Sequence, residues 1–366
     1  MSSVVHFSDD DWARTERDWS AWWEGDLARP LVLINNFVPP ADKQLPELPG
    51  ITAQIPFEVS AEEVAERVAG FMEAMYFYGD SFPRWWPNFG PGIAAGFLGS
   101  KVDTQQRTVW FEPLENVELA DIHATFDPDN IWWKRVRDLT VAAAKRIGDR
   151  VVIAHTDIGG NLDILASLRE ANKLLLDLID DADEVMRLVG EITTVWLRYY
   201  NELYDIIGPA GRGTTPWAPI WSPKRCYMLQ CDLSYMFSPK MFERYVMPDL
   251  EACCNAMEHG FYHLDGKGEI PHLDLLLSLE RLKGIQWIPG AGAPPPEEWL
   301  PLLKRIKDGG KLCQVFVSAE GAMKIVKELG GRGFTMQIME TMNEEKARDF
   351  LKALAAVDPD SKWEPR

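Results

Sequence analysis

Cysteine is scarce in this sequence, with five in 366 residues, and positive charge is scarce as well. So few cysteines in a long chain do not form a disulfide framework, and no Cys-x-x-Cys pair typical of structural zinc occurs. We predict buried thiols in a reducing compartment, with Cys231 and Cys313 as core residues rather than nucleophiles. The net charge of −18 argues against nucleic acid as the main partner and against an anionic membrane surface.

Long apolar runs are also missing. No stretch of about 18 apolar residues could form a transmembrane helix, and the segment from Met1 to Asp11 lacks the basic region and apolar core of a signal peptide. We therefore expect a cytoplasmic protein. A hydrophobic content of 46% in 366 residues is enough for a large core, in one barrel domain with extensions or in two smaller domains.

What the sequence does contain is a regular alternation of strand-like and helix-like runs. Apolar or alternating runs typical of strands are found at 31–34, 151–157, 227–232, 260–266, 285–288, 312–317 and 334–340. Most of these strands are followed by an amphipathic run, which is typical of an α/β fold, either a (β/α)8 TIM-type barrel or a doubly wound sheet. The stretch 80–92 has three prolines and two glycines and is predicted to be a loop.

No linker or low-complexity tract interrupts this alternation, so we predict a single domain. Residues 1–60 would form an N-terminal helical extension and the first strand, and residues 61–366 the barrel. Trp19, Trp22 and Trp23 share one face of the predicted helix over 8–26. This face would pack on the barrel or on a second copy of the chain, so a homodimer is plausible.

Polar residues come at the ends of several predicted strands, where a barrel has its site. His263 and Asp265 are two apart, so both side chains leave one face of a strand. They are either a hydrogen-bonded structural pair or a site for metal binding or acid–base chemistry. His155 and Asp157 repeat the pattern, either as a buried pair or as pocket residues that orient substrate or protonate a leaving group, and Asp232 ends another strand.

Further candidates would bind a small-molecule substrate. Arg84 and Trp86 lie in the aromatic loop, where the guanidinium would hold a carboxylate or phosphate, or else form a surface ion pair. Tyr235 is either a lid or a packing residue, and Gln286 and Gln337 would point amides into the barrel.

Several segments together resemble the uroporphyrinogen decarboxylase superfamily, in particular its branch of corrinoid-linked and thiol methyltransferases. They are Asn88-Phe-Gly-Pro-Gly92, Thr108-Val-Trp-Phe-Glu-Pro113, Leu174-Leu-Leu-Asp-Leu-Ile-Asp-Asp-Ala-Asp-Glu-Val185, Phe237-Ser-Pro-Lys-Met-Phe-Glu-Arg-Tyr-Val-Met-Pro248, His263-Leu-Asp265 and Gly284-Ile-Gln-Trp-Ile-Pro-Gly290. The resemblance covers roughly residues 80–355 and implies a (β/α)8-type barrel with its site at the carboxyl ends of the strands.

The sequence departs from this family in two ways. The Arg-rich N-terminal motif with which the decarboxylases bind porphyrinogen carboxylates is absent from the first 60 residues, which argues against that substrate. The thiol methyltransferases bind zinc through a His-x-Cys pair and a later Cys. His263 matches the histidine, but Asp265 replaces the first cysteine, and Glu340 is the nearest candidate for the second. If a metal binds, the resemblance then implies a harder site of His263, Asp265 and Glu340, with zinc as the first candidate.

The resemblance implies methyl transfer between a small methylated donor and a corrinoid, folate or thiol acceptor. His263, Asp265 and Asp157 are the predicted catalytic residues. No Asp-x-His-x-x-Gly corrinoid-binding motif is present, so a corrinoid would come on a partner protein or bind in the open mouth of the barrel. Two alternatives stay open: a decarboxylase or other lyase that holds a small carboxylate through Arg84, and a non-catalytic barrel that binds a sugar-like or aromatic ligand.

Overall fold

The computed structural model describes residues 5–41, 44–105, 107–208, 211–359 and 363. Residues 1–4, where the predicted N-terminal extension begins, lie outside the described residues. The strands are β1 Leu31–Phe37, β2 Met75–Gly79, β3 Arg84–Trp85, β4 Lys101–Asp103, β5 Trp110–Glu112, β6 Val152–Ile153, β7 Cys226–Leu229, β8 His259–Asp265, β9 Leu282–Ile288, β10 Leu312–Val317 and β11 Phe334–Ile338.

Helices separate these strands along most of the chain. The α-helices are α1 Asp9–Trp23, α2 Ala61–Met72, α3 Ala94–Phe97, α4 Ile131–Ile147, α5 Asn161–Arg169, α6 Ala171–Asp180, α7 Ala182–Ile207, α8 Pro239–Tyr245, α9 Met247–Asn255, α10 Leu273–Ser278, α11 Leu300–Asp308, α12 Ala319–Leu329 and α13 Glu344–Val357. Serine side chains cap the amino ends of two of these helices: the Ser8 hydroxyl accepts from the Asp11 backbone N–H, and the Ser60 hydroxyl accepts from that of Glu63. In the described part of the chain, no helix is both long enough and apolar enough to cross a membrane.

The central sheet is mainly parallel, as the alternating pattern predicts. Its order is β2-β1-β11-β10-β9-β8-β7, with all neighbours parallel except the edge strand β2. A separate parallel pair, β3 and β6, lies within 80–92 and 151–157. The prediction that 80–92 is only a loop is therefore wrong at Arg84–Trp85. The fold class α/β is confirmed, but a TIM-type barrel is not, because the strand ladders among the described residues do not close into a ring.

The tryptophan face of α1 is buried within the chain. Trp22 packs edge-on against Trp19 and Trp23 and stacks with Phe261 at 6.1 Å between ring centroids, while the Trp23 ring stacks on His259 at 4.1 Å. The same apolar cluster contains residues near the amino ends of five strands: Leu31, Val152, Cys226, Phe261 and Leu312. Helix α1 therefore covers that end of the sheet, and its tryptophan face no longer supports a homodimer.

The segment Thr214–Ser222, called here the inner loop, runs between the strands and α1. Its carbonyls at Pro216 and Trp217 accept from Arg84, and the Trp217 indole N–H donates to the Met228 carbonyl of β7. At its far end, the Trp221 carbonyl accepts from the Trp23 indole of α1. The inner loop thus connects three parts of the fold that are distant in sequence.

Candidate functional site

The candidate site lies at the carboxyl end of β8. One face of this strand is apolar towards its amino end, where α1 covers it, and polar at its carboxyl end. Phe261, His263 and Asp265 share this face because side chains two apart in a strand point the same way. The ligand atoms offered by Asp232, His263 and Asp265 all lie within 4.8 Å of one another. We call these three residues the ligand group. His263 and Asp265 are thus together, as their spacing predicts.

Asp232 reaches the group from a 3-10 turn, Asp232–Met236, that follows β7, the neighbour of β8. The Asp163 carboxylate fixes this turn by accepting from the backbone N–H groups of Asp232 at 3.0 Å and Leu233 at 2.8 Å. Position 160, next to this turn, requires glycine because of close packing. A Cβ there would lie 2.1 Å from the Gln230 carbonyl oxygen and 2.5 Å from an Asp163 carboxylate oxygen. Asp163, in the first turn of α5, therefore positions Asp232.

The carboxylates around the group hold their protons unusually tightly. Burial and the charge of Asp232 raise the pKa of Asp163 to about 7. Desolvation of the Asp232 carboxyl and the charge of Asp265 raise the pKa of Asp232 to about 6. Burial raises the pKa of Glu269 well above its ordinary value, and its carboxyl accepts from the Asp265 backbone N–H at 3.3 Å. This excess of acid, with burial lowering the pKa of His263, favours a bound cation.

Asp157 lies close enough to this group for the charge of Asp232 to affect it. Burial first, and that charge second, raise the pKa of Asp157 well above its ordinary value, although the backbone N–H groups of Gly92 and Gly159 donate to it. Its Oδ1 atom has no hydrogen-bond partner among the described residues. Two loops meet here, since a Cβ on Gly159 would lie 2.6 Å from the Gly92 Cα. Asp157 therefore offers a buried oxygen to a ligand or proton.

His263 has a second set of contacts on its other side. Its Nδ1 atom hydrogen-bonds the Gln286 Oε1, and the Gln286 amide nitrogen donates to the Gln314 Oε1 at 2.7 Å. The Trp217 ring of the inner loop packs edge-on against the imidazole at 5.1 Å between centroids. Gln286 is fully buried, and its amide contacts His263 and Gln314; the substrate contact predicted for it stays a prediction.

Arg84 and Trp86 lie on one side of the inner loop. Arg84 donates to the carbonyls of Pro216 and Trp217, and burial lowers its pKa to about 9. Within the described chain, the Arg84 Nε and the Trp86 Nε1 are buried donors without a partner. The Trp86 ring lies 6.5 Å from that of Trp217. These two residues thus keep unpaired donors beside Trp217, and the substrate contact predicted for them stays a prediction.

Tyr235 lines a cavity of about 560 Å³ that opens beside Asp265. Trp299 and Lys267 form other parts of its wall, and the loop from Pro289 to Pro294 completes it with small residues. Tyr235 is 47% exposed and packs over Gly266 and Gly268, where a Cβ would lie 3.0 and 2.6 Å from its ring. A small molecule could reach the ligand group through this cavity.

The structure does not bring three of the predicted site residues to the group. His155 is fully buried and stacks on Tyr200 of α7 at 4.7 Å; burial lowers its pKa to about 3. Both Glu340 carboxylate oxygens accept from the Ala319 N–H at the start of α12, at 2.9 and 3.1 Å, so Glu340 is not the third member of the group. The Gln337 amide donates to the backbone carbonyls of Leu33 and Ile338.

Sequence reasoning missed three residues that shape the site: Asp163, Glu269 and Gln314. Gln314 carried a detectable signal, since an amide in the middle of the apolar strand β10 has to find buried partners. All five cysteines are buried, and burial raises the pKa of Cys231 and Cys313, in agreement with the prediction of inert core thiols.

The arrangement can be compared with known proteins. The structure matches that of a methyltransferase from Methanosarcina mazei with a TM-score of 0.58, over 93% of this chain and 98% of that chain, at 13% sequence identity. The two proteins share a fold. No model of a known protein family matches this chain, and no curated protein matches its sequence. The resemblance to the uroporphyrinogen decarboxylase superfamily therefore stays a prediction.

Proposed function

We propose that this chain is a metal-assisted methyltransferase that moves a methyl group between a small methylated donor and a corrinoid, folate or thiol acceptor. The observation that carries the proposal is the ligand group: one imidazole and two carboxylates whose ligand atoms lie within 4.8 Å of one another, at the end of a parallel strand. The fold shared with a methyltransferase adds support.

The ligand group fits a divalent cation. Three nitrogen and oxygen ligands, with one position open for substrate, are typical of catalytic zinc, which is our first candidate. When bound, such an ion would act as a Lewis acid that activates a thiol or polarises the leaving oxygen of a methyl ether. Asp232 would be the third metal ligand, in place of Glu340.

The surrounding residues would place the substrate and move protons. Substrate would enter through the cavity beside Asp265, with Tyr235 at its wall. Burial and the charge of Asp232 raise the pKa of Asp157 well above its ordinary value, and its carboxyl would deliver a proton to a leaving group. We also propose that a corrinoid acceptor is presented by a partner protein at this end of the sheet.

We further propose that the strands complete a (β/α)8-type barrel. The central sheet supplies six parallel strands and the pair β3–β6 would supply two more, and contacts other than ladder bonds bridge the two gaps between the sheets. Val32 and Asp80 exchange hydrogen bonds next to β3, and the Tyr227 hydroxyl accepts from the Ile158 N–H between β7 and the end of β6. The carboxyl ends of the strands would then surround the ligand group.

Elemental analysis of the purified protein tests the metal assignment. We expect near-stoichiometric zinc or another divalent metal in the wild type, and its loss in His263→Ala, because that change removes the nitrogen ligand. Glu340→Ala is the matched control and should keep the metal, since Glu340 only contacts the start of α12. A metal-free wild type, or full metal content in His263→Ala, would contradict the ligand assignment, and a metal-free wild type would turn the search to the lyase alternative.

Methyl transfer itself is tested with a panel of methoxyarenes, methylamines and methyl thioethers as donors, and free cob(I)alamin or a small thiol as acceptor. A Lewis acid contributes several kcal/mol to such a reaction, so His263→Ala should lower the rate by at least about a hundredfold. Glu340→Ala should retain the wild-type rate. The absence of transfer from any donor by the metal-loaded wild type would count against this function.

A second candidate, a decarboxylase acting on a small carboxylate, is favoured by Arg84. A buried guanidinium that contacts only two carbonyl oxygens lacks a counter-ion among the described residues, and a substrate carboxylate would supply one. For this function we expect carbon dioxide release without a methyl donor. Arg84→Gln should raise KM about 10- to 100-fold, the value of a hydrogen bond to a charged group, and leave any metal content unchanged.

A further inference from the structure

We infer that Gln286 and Gln314 are positioning residues that fix the protonation of His263, with the proton on Nδ1 and the lone pair of Nε2 left for the ligand group. The two amides would therefore decide whether this imidazole can act as a ligand or a base. The inference concerns the site of the proposed function, but the position of the proton is a property of the free protein and can be measured without metal or substrate.

The register of three neighbouring strands places the imidazole and the two amides side by side. His263 of β8 is paired directly with Gln286 of β9, and Gln286 with Gln314 of β10. Side chains at paired positions of adjacent strands leave the same face and lie side by side. The imidazole and the two amides therefore form a single row across the sheet, which agrees with the hydrogen bonds between them.

The direction of these hydrogen bonds is set at the Gln314 end of the row. The row ends at the Pro219 carbonyl of the inner loop, whose oxygen lies 3.1 Å from the amide nitrogen of Gln314. A backbone carbonyl can only accept, so Gln314 turns its NH2 group to Pro219 and its oxygen to Gln286. Gln286 must then donate to Gln314 and turn its own oxygen to His263. An amide oxygen can only accept, so Nδ1 of His263 carries the proton.

The hydrogen bonds along the row cannot easily reverse their direction. Gln286 and Gln314 are fully buried, so water cannot replace a lost partner. A flipped Gln314 would place its oxygen against the Pro219 carbonyl oxygen, and both buried acceptors would remain unpaired, which is unfavourable. The inner loop is held in place, since Arg84 donates to the carbonyls of Pro216 and Trp217. The fixed carbonyl of Pro219 therefore sets the direction of the whole row.

The consequence for His263 follows from its two nitrogens. With Nδ1 used by Gln286, Nε2 is the nitrogen that remains for Asp232 and Asp265. A histidine that binds a metal commonly donates its other ring N–H to a fixed acceptor, which sets the tautomer and the ring orientation. Here a buried amide provides that acceptor, and its direction is set by a backbone carbonyl two strands away.

The test is nitrogen-15 NMR of the imidazole groups in the full-length protein, labelled at histidine and treated with a chelator. The His263 signals are identified by their absence in His263→Gln. In the wild type at neutral pH we expect a protonated Nδ1 and an unprotonated Nε2. Gln286→Leu removes the acceptor, so His263 should change to the Nε2–H form or to a mixture. Gln286→Glu restores an acceptor at the same position and should keep the proton on Nδ1.

Two further variants keep the test decisive. Gln337→Leu removes a partly buried amide from the neighbouring strand β11 that does not contact His263, so the wild-type proton position should persist. Gln314→Leu leaves Gln286 in place but frees it to rotate, so a mixture of tautomers is expected even if Gln286→Leu does not fold. Nε2–H in the wild type, or an unchanged Nδ1–H form in both leucine variants at positions 286 and 314, would overturn the inference.

Zinc affinity, measured by competition with a chromogenic chelator, gives a second readout. We expect Gln286→Leu to weaken zinc binding by about 10- to 100-fold, the usual effect of removing a partner behind a metal ligand. Gln337→Leu should bind zinc like the wild type. If the NMR result holds but the wild type binds no metal, the proposed function fails and the tautomer assignment stands. If the metal is present but Nδ1 is unprotonated, only the assignment fails.

Discussion

Replacing Trp22 by alanine is expected to lower the free energy of unfolding by about 3–5 kcal/mol, the usual cost of removing a buried tryptophan. The side chain is 1% exposed and packs against Trp19, Trp23 and Phe261. Its indole nitrogen has no partner in the described part of the chain, so the loss is one of packing rather than of a hydrogen bond. Urea unfolding followed by far-ultraviolet circular dichroism measures the difference.

Trp110→Ala is the matched control for this substitution. Trp110 is 56% exposed on the short strand β5, and its removal leaves the core intact. We expect a change within about 0.5 kcal/mol there, as for surface substitutions in general. Equal losses at Trp22 and Trp110 would show that α1 does not stabilise the amino end of the sheet.

The second large effect is a gain in stability at alkaline pH from Asp249→Asn. Asp249 is buried between α7 and α9, where its Oδ1 accepts from Asn161, from Thr193 at 2.8 Å and from Cys253 at 3.6 Å. Burial raises its pKa from 3.8 to about 7. The folded protein therefore binds this proton more tightly than the unfolded chain does, and stability is lost as the pH rises from about 4 to 7.

The size of that loss follows from the pKa difference. A pKa of about 7 against 3.8 corresponds to about 4 kcal/mol once the pH exceeds 7. Asparagine keeps an acceptor oxygen but cannot ionise, so the variant should match the wild type near pH 4 and exceed its stability by up to about 4 kcal/mol at pH 8. Urea unfolding at pH values between 4 and 8 measures the difference.

Asp205→Asn, an exposed position on the same helix α7, is the control for the buried carboxyl. Its difference from the wild type should stay small and nearly constant over this pH range. A difference at Asp249 that does not grow with pH, or that has the opposite sign, would mean that the carboxyl is already ionised in the folded protein at no cost.

Local periodicity predicted the parallel strands of the central sheet and the pairing of His263 with Asp265 at the end of β8. The bounds of β10 were predicted correctly, and β8 has the expected face with His263 and Asp265 together. Such features depend on residues close in sequence, which is why the pattern contains them. The prediction that the strand ends on Asp232 is wrong, because β7 stops at Leu229 and the turn that follows carries the carboxylate to the ligand group.

The errors arise where a strand ends or a distant segment intervenes. Strand β6 stops at Ile153, so the alternation no longer applies at His155, which turns to α7 instead of the site. Strand β11 ends at Ile338, and Glu340 two residues later meets the start of α12. Gln286 lies on the expected face, but its partner Gln314 is fixed by a carbonyl 95 residues away. No local pattern contains such a partner.

The inner loop has a further consequence, for the order in which the chain folds. Its Trp221 carbonyl accepts from Trp23, 198 residues earlier, and its Pro219 carbonyl from Gln314, 95 residues later. Contacts between residues so far apart in sequence require large loops to close, which slows folding. On the ribosome, the helix that covers the sheet must wait for the inner loop, and the inner loop must wait for β10. The nascent chain would therefore carry exposed tryptophans for most of its synthesis, and exposed apolar surface of this kind favours aggregation.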